Sequence, residues 1–280
     1  MITVNRQALT TRCLALLTVA GAVAATQGCA GAPQPPEAGR QPIVVVAATK
    51  TPADSSTDAP TEEPTDEPAE EKARSAPECV RVRGAAACVG GDDSLQPGVS
   101  VEDTENDRLH PAVEYYLNGY LGTMYSVHNL ARQGEVRGSP WIGDTITYRA
   151  ALYKGDHRLK VSEWKTLKKV TKNPVARETG ISPATAQARA RVCTSTRGRA
   201  LVCFTGKKTT IFACDTGTDR RQVHAEYYIG GDPTARFEIH QLAGPGTCGK
   251  AVHGRRTISK YRASLFDGDH RIGDALYKYN

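Results

Sequence analysis

Although eight of the 280 residues are cysteine, no two stand in a CxxC spacing, which excludes zinc-ribbon ligation and a thioredoxin-like redox motif. There is no HExxH helix, no GxSxG elbow and no complete P-loop, so hydrolases and nucleotide-binding enzymes built on those single motifs are excluded. Long apolar runs are also missing. The longest, CLALLTVAGAVAA from Cys13 to Ala25, is roughly a dozen residues, too short to span a bilayer but the length of a signal-peptide core behind Arg6 and Arg12.

Directly after that core, ATQGCAG resembles the lipobox of bacterial lipoproteins. The resemblance implies a signal peptide over 1–28 and an acylated Cys29. Residues 29–76 are rich in Pro, Thr and Glu around TEEPTDEPAEE. Such a segment cannot bury enough apolar surface to offset its ordering entropy, so a disordered, proline-stiffened tether is expected. IVVVAA at Ile43–Ala48 is the exception and is expected to pair as an extra strand. The net charge of +6 therefore averages an acidic stalk with a basic globular part.

An offset of 112 positions lays the chain on itself: DTENDR from Asp103 falls on DTGTDR from Asp215, VEYYLNG from Val113 on AEYYIGG from Ala225, and YSVHNLA from Tyr125 on FEIHQLA from Phe237. With one inserted residue, YRAALYKGDHRL from Tyr148 falls on YRASLFDGDHRI from Tyr261. So long a match is a duplicated structural unit, not a repeated short motif. The copies are expected at 77–160 and 189–280, joined by a basic, partly helical connector, 161–188. The connector's first half is expected to form a short helix ending before Pro174, and SPATAQARA a second one capped by Ser182.

Removing Cys13 with the signal and acylating Cys29 leaves six cysteines, for which fifteen connectivities exist. The duplication narrows them. Cys79 and Cys88 fall on Cys193 and Cys203, each pair flanking a hairpin, CVRVRGAAAC in one copy and CTSTRGRALVC in the other. Cys214 and Cys248 fall on Glu102 and near Val136, so the first copy lacks both together, as a bonded pair would. The expected disulfides are Cys79–Cys88, Cys193–Cys203 and Cys214–Cys248, in an oxidising, extracytoplasmic setting. Cleavage upstream of Cys29 without acylation would leave one odd thiol.

In the second copy RALVCF, TTIFAC, QVHAEYY, ARFEIHQL and ISKYRASLF alternate with period two between Gly, Asp and Pro clusters, the pattern of half-buried antiparallel strands. Val223, Ala225 and Tyr227 point one way and His224, Glu226 and Tyr228 the other, with Ala235, Phe237 and Ile239 as a facing inner row. The expected class is all-β, with two tandem small antiparallel β-sandwich or barrel units, stapled because a core of this size is marginal.

The copies share Asp103/Asp215, Asp107/Asp219, Glu114/Glu226, His128/His240, Asp156/Asp269 and His157/His270, residue types suited to acid–base work or metal binding. Common descent alone would keep them. GDHR reads as a turn in which Gly155 and Gly268 supply positive φ, the Asp caps it, and His and Arg begin the next strand. HAE at His224–Glu226 has the first half of the zinc-deaminase pattern without the second. The sequence thus assigns no catalytic residue, metal ligand or cofactor. Tyr115, Tyr116, Tyr227 and Tyr228 with Arg149, Arg262, Arg255 and Arg256 are candidates for a surface that binds anionic polymers. The alternative is an ordinary surface in which alternate tyrosines are core.

The run FACDTGTDRRQVHAEYYIGG, followed by GTCGK and YRASLFDGD, resembles the small cysteine-containing secreted β domains and lipoproteins of actinobacteria, a group that implies no particular activity. Tyr148, Tyr153 and Gly155, like Tyr261, Phe266 and Gly268, also match the aromatic and glycine spacing of βγ-crystallin Greek keys, without that family's closely spaced repeats or acidic calcium segment. The functional expectation is an extracytoplasmic binding lipoprotein, held to the membrane by its lipid alone. Its expected partner is an anionic envelope polymer or another surface protein, with no specific nucleic-acid binding. A secreted wall-directed hydrolase using Glu226 or Asp269 is the alternative.

Overall fold

The computed structural model describes residues 75–94, 97–175 and 180–279. The expected signal peptide, Cys29, the 43–48 run and the expected tether as far as residue 74 lie outside the described residues. Period-two alternation becomes nine strands per copy. The first copy carries β1 (Glu78–Val82), β2 (Ala85–Gly90), β3 (Gly98–Asp103), β4 (His110–Leu117), β5 (Thr123–Asn129), β6 (Val136–Ser139), β7 (Thr145–Lys154), β8 (His157–Val161) and β9 (Lys165–Lys168). After helix α1 (Pro183–Arg189) the second repeats the order as β10 (Ala190–Thr196), β11 (Ala200–Thr205), β12 (Thr210–Asp215), β13 (Gln222–Ile229), β14 (Ala235–Gln241), β15 (Cys248–Val252), β16 (Ile258–Asp267), β17 (His270–Asp274) and β18 (Lys278–Tyr279).

Each copy contributes a four-stranded antiparallel sheet, β1-β2-β3-β6 in the first and β10-β11-β12-β15 in the second. The remaining strands of both copies form one ten-stranded sheet, β17-β16-β13-β14-β5-β4-β7-β8, with β18 added to β16 and β9 to β7. The copies are therefore joined strand to strand, β5 against β14, and their described residues form one compact unit. Ser126 faces Glu238 in that pairing, and the two occupy equivalent places in the repeat. A pseudo-twofold axis consequently passes between them, exchanging His128 with His240.

One face of the long sheet is apolar, as the alternation requires. Val113, Tyr115, Val127, Tyr148, Val223, Ala225, Tyr227, Phe237, Ile239 and Tyr261 are buried there, in one core continuous with Ala87, Val101, Val202 and Ile211 of the smaller sheets. Two edge strands, β5 and β14, are buried by pairing with each other, which removes the exposed edges each copy would present alone.

The three expected disulfides are present, Cys79–Cys88, Cys193–Cys203 and Cys214–Cys248, each joining residues directly opposite in adjacent strands. In the first copy Glu102 and Val136 face each other at the place of the third bond, so the paired absence has a direct structural meaning. Three such bonds fit an oxidising, extracytoplasmic compartment. Of the three, Cys214–Cys248 closes the longest loop, with a sequence separation of 34 against 9 and 10. Cys214→Ala with Cys248→Ala should cost about 4 kcal/mol, against about 3 kcal/mol for either other pair, read from urea unfolding midpoints.

The connector needs one correction. SPATAQARA does form α1, with Ser182 Oγ accepting from Thr185 N–H and Pro183 in the first turn. The segment before Pro174, however, is not helical: Lys165–Lys168 is strand β9, in register with Thr145–Tyr148 of β7. Its burial alternates, with Lys165 and Leu167 half-buried and Thr166 and Lys168 exposed, and Leu167 packs on the core, a period-two pattern that outweighs the helix propensity of its lysines.

Candidate functional site

The opposite face of the ten-stranded sheet carries charge, and most of that charge is buried. From β4 and β13 come Glu114 and Glu226, both 0% exposed, and from β14 comes Glu238 at 4%. A buried carboxylate needs partners, and each of these has them. Glu114 accepts from Arg149 Nε at 2.7 Å and from the Tyr153 hydroxyl, and pairs with Arg158. At the equivalent place in the second copy, Glu226 accepts from Arg262 (2.8 Å), Ser264 (2.6 Å) and Arg271 (2.6 Å). Glu238 pairs with Arg236 Nε at 2.9 Å. Burial alone would push all three carboxyls up, but the guanidiniums hold Glu114 and Glu226 below their ordinary value, and Arg236 with His128 holds Glu238 well below.

The GDHR turns explain how a sheet face is buried without a covering layer. Gly155 (φ 60°) and Gly268 (φ 58°) turn the hairpins β7–β8 and β16–β17 tightly, as the sequence requires. These hairpins lie at the two ends of the sheet, yet their tips meet. Arg158 reaches Asp269 at 2.9 Å and, reciprocally, Arg271 reaches Asp156 at 2.9 Å, with the His157 and His270 rings stacked 5.5 Å apart. The sheet is thus curled upon its polar face and closed by a symmetric pair of ion bridges. Here the aspartates do not cap their own turns: Asp156 also holds Arg236 of the central strand at 2.9 Å.

The curl leaves a cavity of about 460 Å³ on the pseudo-twofold axis. Its charged lining is balanced: Arg149, Arg158 and Arg236 against Asp156, Glu238 and Asp269. Tyr116, Tyr153, Trp164 and Phe266 supply aromatic walls, and Arg149 lies over the Trp164 ring at 4.3 Å. The floor holds a histidine group. His128 and His240 each lie within hydrogen-bonding distance of Ser126 Oγ, at 3.2 and 3.1 Å, and His110 Nε2 is 3.1 Å from His128 Nδ1. His224 stacks on Phe266, 3.9 Å between centroids. Burial pushes His128 down, and His224 down to about 4, so these imidazoles are neutral near pH 7. Among the described residues, His224, Glu238 and His240 present ligand atoms close enough together to hold a metal ion.

The shared pairs separate into two kinds. Asp103 and Asp215 accept backbone N–H groups two residues on, from Glu105 and Gly217, and Asp107 does the same for Leu109; these are turn-forming aspartates. Asp219 pairs with Arg199 and Arg221. His128, His240, Asp156 and Asp269, by contrast, line the cavity, while Glu114 and Glu226 sit behind it, Glu114 holding the lining residues Arg149 and Arg158.

The structure does not bring the candidate surface residues together, and the alternate tyrosines are core. Tyr115 and Tyr227 are core, 3% and 2% exposed, because they lie on the inner side of the alternation. Tyr116 and Arg149 line the cavity, and Arg262 is held by Glu226 and Asp274. Tyr228 belongs to a separate outer patch with Lys260 and Tyr279. Arg255 and Arg256 lie in the exposed β15–β16 connection. Sequence reasoning missed Arg236 and Glu238, although ARFEIHQL places Arg236, Glu238 and His240 on one face; the inner row drew the reading. Because Glu238 aligns with Ser126, comparing the copies concealed it.

No family model matches the sequence, and no curated protein matches it. Among solved structures, the fold has a likeness to the crystal structure of chicken CNTN1 FN1-FN3 domains at a TM-score of 0.22 and 10% identity, covering 68% of this chain and 60% of that one. The alignment thus reaches less than two thirds of that chain's length.

Proposed function

We propose that this is an extracytoplasmic binding protein, carried on an acylated Cys29 and the tether behind it, whose ligand site is the cavity between the two copies. The observation that supports the reading is the enclosure of matched charges and aromatic walls by a sheet that both copies must complete. Replacing a buried ion cluster with apolar residues of similar volume is commonly neutral or stabilising, so stability alone gives little reason for keeping one. Aromatic walls suit the apolar faces of sugar rings, and guanidinium and carboxylate groups together suit hydroxyls and amides. The proposed ligand is therefore a glycan segment of an envelope polymer. Since the lining arginines are already paired, hydrogen bonding and stacking would supply most of the affinity, with little contribution from net charge.

Co-sedimentation with purified bacterial cell wall, at low and high salt, tests this. Retention is expected to survive high salt and to weaken about tenfold in Trp164→Ala, roughly 1.4 kcal/mol. Retention lost at high salt would assign binding to exposed basic residues instead, and no retention at either salt would remove the reading.

A further inference from the structure

We infer that the cavity floor is a binding site for a borderline divalent cation such as Zn2+, with His224, Glu238 and His240 as ligands and the remaining position open to the cavity. The inference deepens the proposed binding reading, since the ion would sit in the same cleft and be available to a ligand there.

The geometry is close to what tetrahedral coordination needs. Two donor atoms each about 2.05 Å from one ion at the tetrahedral angle lie about 3.3 Å apart. Glu238 Oε2 lies 3.2 Å from His240 Nε2 and 3.7 Å from His224 Nδ1, and all three donor atoms fall within 4.8 Å of one another. Only small side-chain shifts would bring them onto one centre. Arg236 and His128 occupy the other carboxylate oxygen, Oε1, at 2.9 and 3.4 Å. Such partners fix the carboxylate's orientation and leave Oε2 facing the imidazoles, the arrangement that outer contacts supply in metal sites.

His224 is the independent sign. It is 4% exposed, yet neither ring nitrogen makes a hydrogen bond. Buried polar atoms without partners are rare and costly, and a ring valued only for stacking on Phe266 would be better supplied by phenylalanine. A metal ion would satisfy Nδ1, the ring nitrogen that lies 3.7 Å from Glu238 Oε2. The second copy alone carries the set, because the first has Ala112 and Ser126 where His224 and Glu238 stand. The cation would therefore mark the point at which the duplicated halves diverged. The nearby charges are paired: Arg236 holds Glu238 and Asp156, and Arg271 holds Glu226 and Asp156.

The test uses the exported protein, stripped with EDTA and then titrated with Zn2+ or Co2+. Wild type is expected to bind one equivalent, to raise its Tm with metal, and with Co2+ to develop the visible absorption of a tetrahedral site. His224→Phe keeps the stacking and removes nitrogens that make no hydrogen bond, so it should fold about as stably while binding metal at least about 100-fold more weakly. Absence of metal uptake by wild type, or uptake undiminished in His224→Phe, would overturn the inference. The two proposals fail separately: wall retention in EDTA by a protein that takes up no metal removes the cation and leaves the glycan reading, whereas stoichiometric metal uptake without wall retention does the reverse.

Discussion

Glu226→Leu is expected to destabilise the protein by about 3–5 kcal/mol, a large fraction of the total for a domain of ordinary stability. The side chain is wholly buried, and leucine approximates its volume, so packing is not what is lost. Instead, Arg262 and Arg271, whose side chains are 17% and 16% exposed, lose the carboxylate that offset their desolvation. Ser264 and Tyr277 lose an acceptor as well. Asp274 lies 2.6 Å from Arg262 and Asp156 lies 2.9 Å from Arg271, but both acids are themselves partly exposed and cannot replace a buried anion. The companion variant carries Arg262→Met and Arg271→Met in addition. Removing the whole cluster should restore much of the loss, because the penalty comes from an unpaired charge and not from an absent favourable pair. Urea unfolding of the single and triple variants separates the two; a loss below about 1 kcal/mol in the single variant would contradict the assignment.

Much of this architecture is legible in the sequence because it follows from short-range regularities. Period-two alternation located the strands and told inner from outer faces, and the joint absence of Cys214 and Cys248 partners from the first copy identified the third disulfide. What the sequence conceals depends on how sheet edges meet. Nothing in YSVHNLA or FEIHQLA states that β5 pairs with β14, since an edge strand that joins its own duplicate looks like any other half-buried strand. Until that pairing is known, the copies read as separate tandem units, and Arg236, Glu238 and the GDHR aspartates belong to no common site. GDHR was correctly legible as a turn from its glycine. Its charged residues were not legible in role, because Arg158 and Asp269 are 111 residues apart and meet only when the sheet curls. Reading β9 as a helix had a different cause: a four-residue strand is too short for its alternation to stand out against a lysine-rich helical composition.

Acidification from pH 7 to pH 4 is expected to remove several kcal/mol of stability, beginning near pH 6.5, well above the range in which carboxylates titrate. Burial pushes His253 down to about 4 and His110 down to about 3, whereas an unfolded chain binds the same protons near 6.5. Above pH 6.5 both states are neutral at these positions and nothing changes. Between pH 6.5 and the depressed native values, only the unfolded chain takes up protons. Each histidine then erodes stability by up to about 1.4 kcal/mol per pH unit, a loss that levels off once the native ring titrates too. His110, with the lower native value, carries the larger share, but His253 is the cleaner position to test. It is packed among Trp141, Tyr227 and Phe237, its nearby charge is Arg256, and it has no carboxylate to favour protonation, whereas Glu238 and Asp156 partly offset the burial of His110. Below about pH 4.5 the depressed Glu114, Glu226 and Glu238 add to the loss, while Asp103 and Asp215, held up by burial, return a little as they protonate first in the native state. Urea midpoints of the metal-free protein at pH 7, 6 and 5 should therefore fall steadily. His253→Gln retains a partner for the Tyr227 hydroxyl, which lies 2.9 Å from His253 Nε2, and does not titrate. It should flatten the pH 5–6 slope by close to one proton; a midpoint unchanged between pH 7 and pH 5 in wild type would show that these rings are protonated inside the fold.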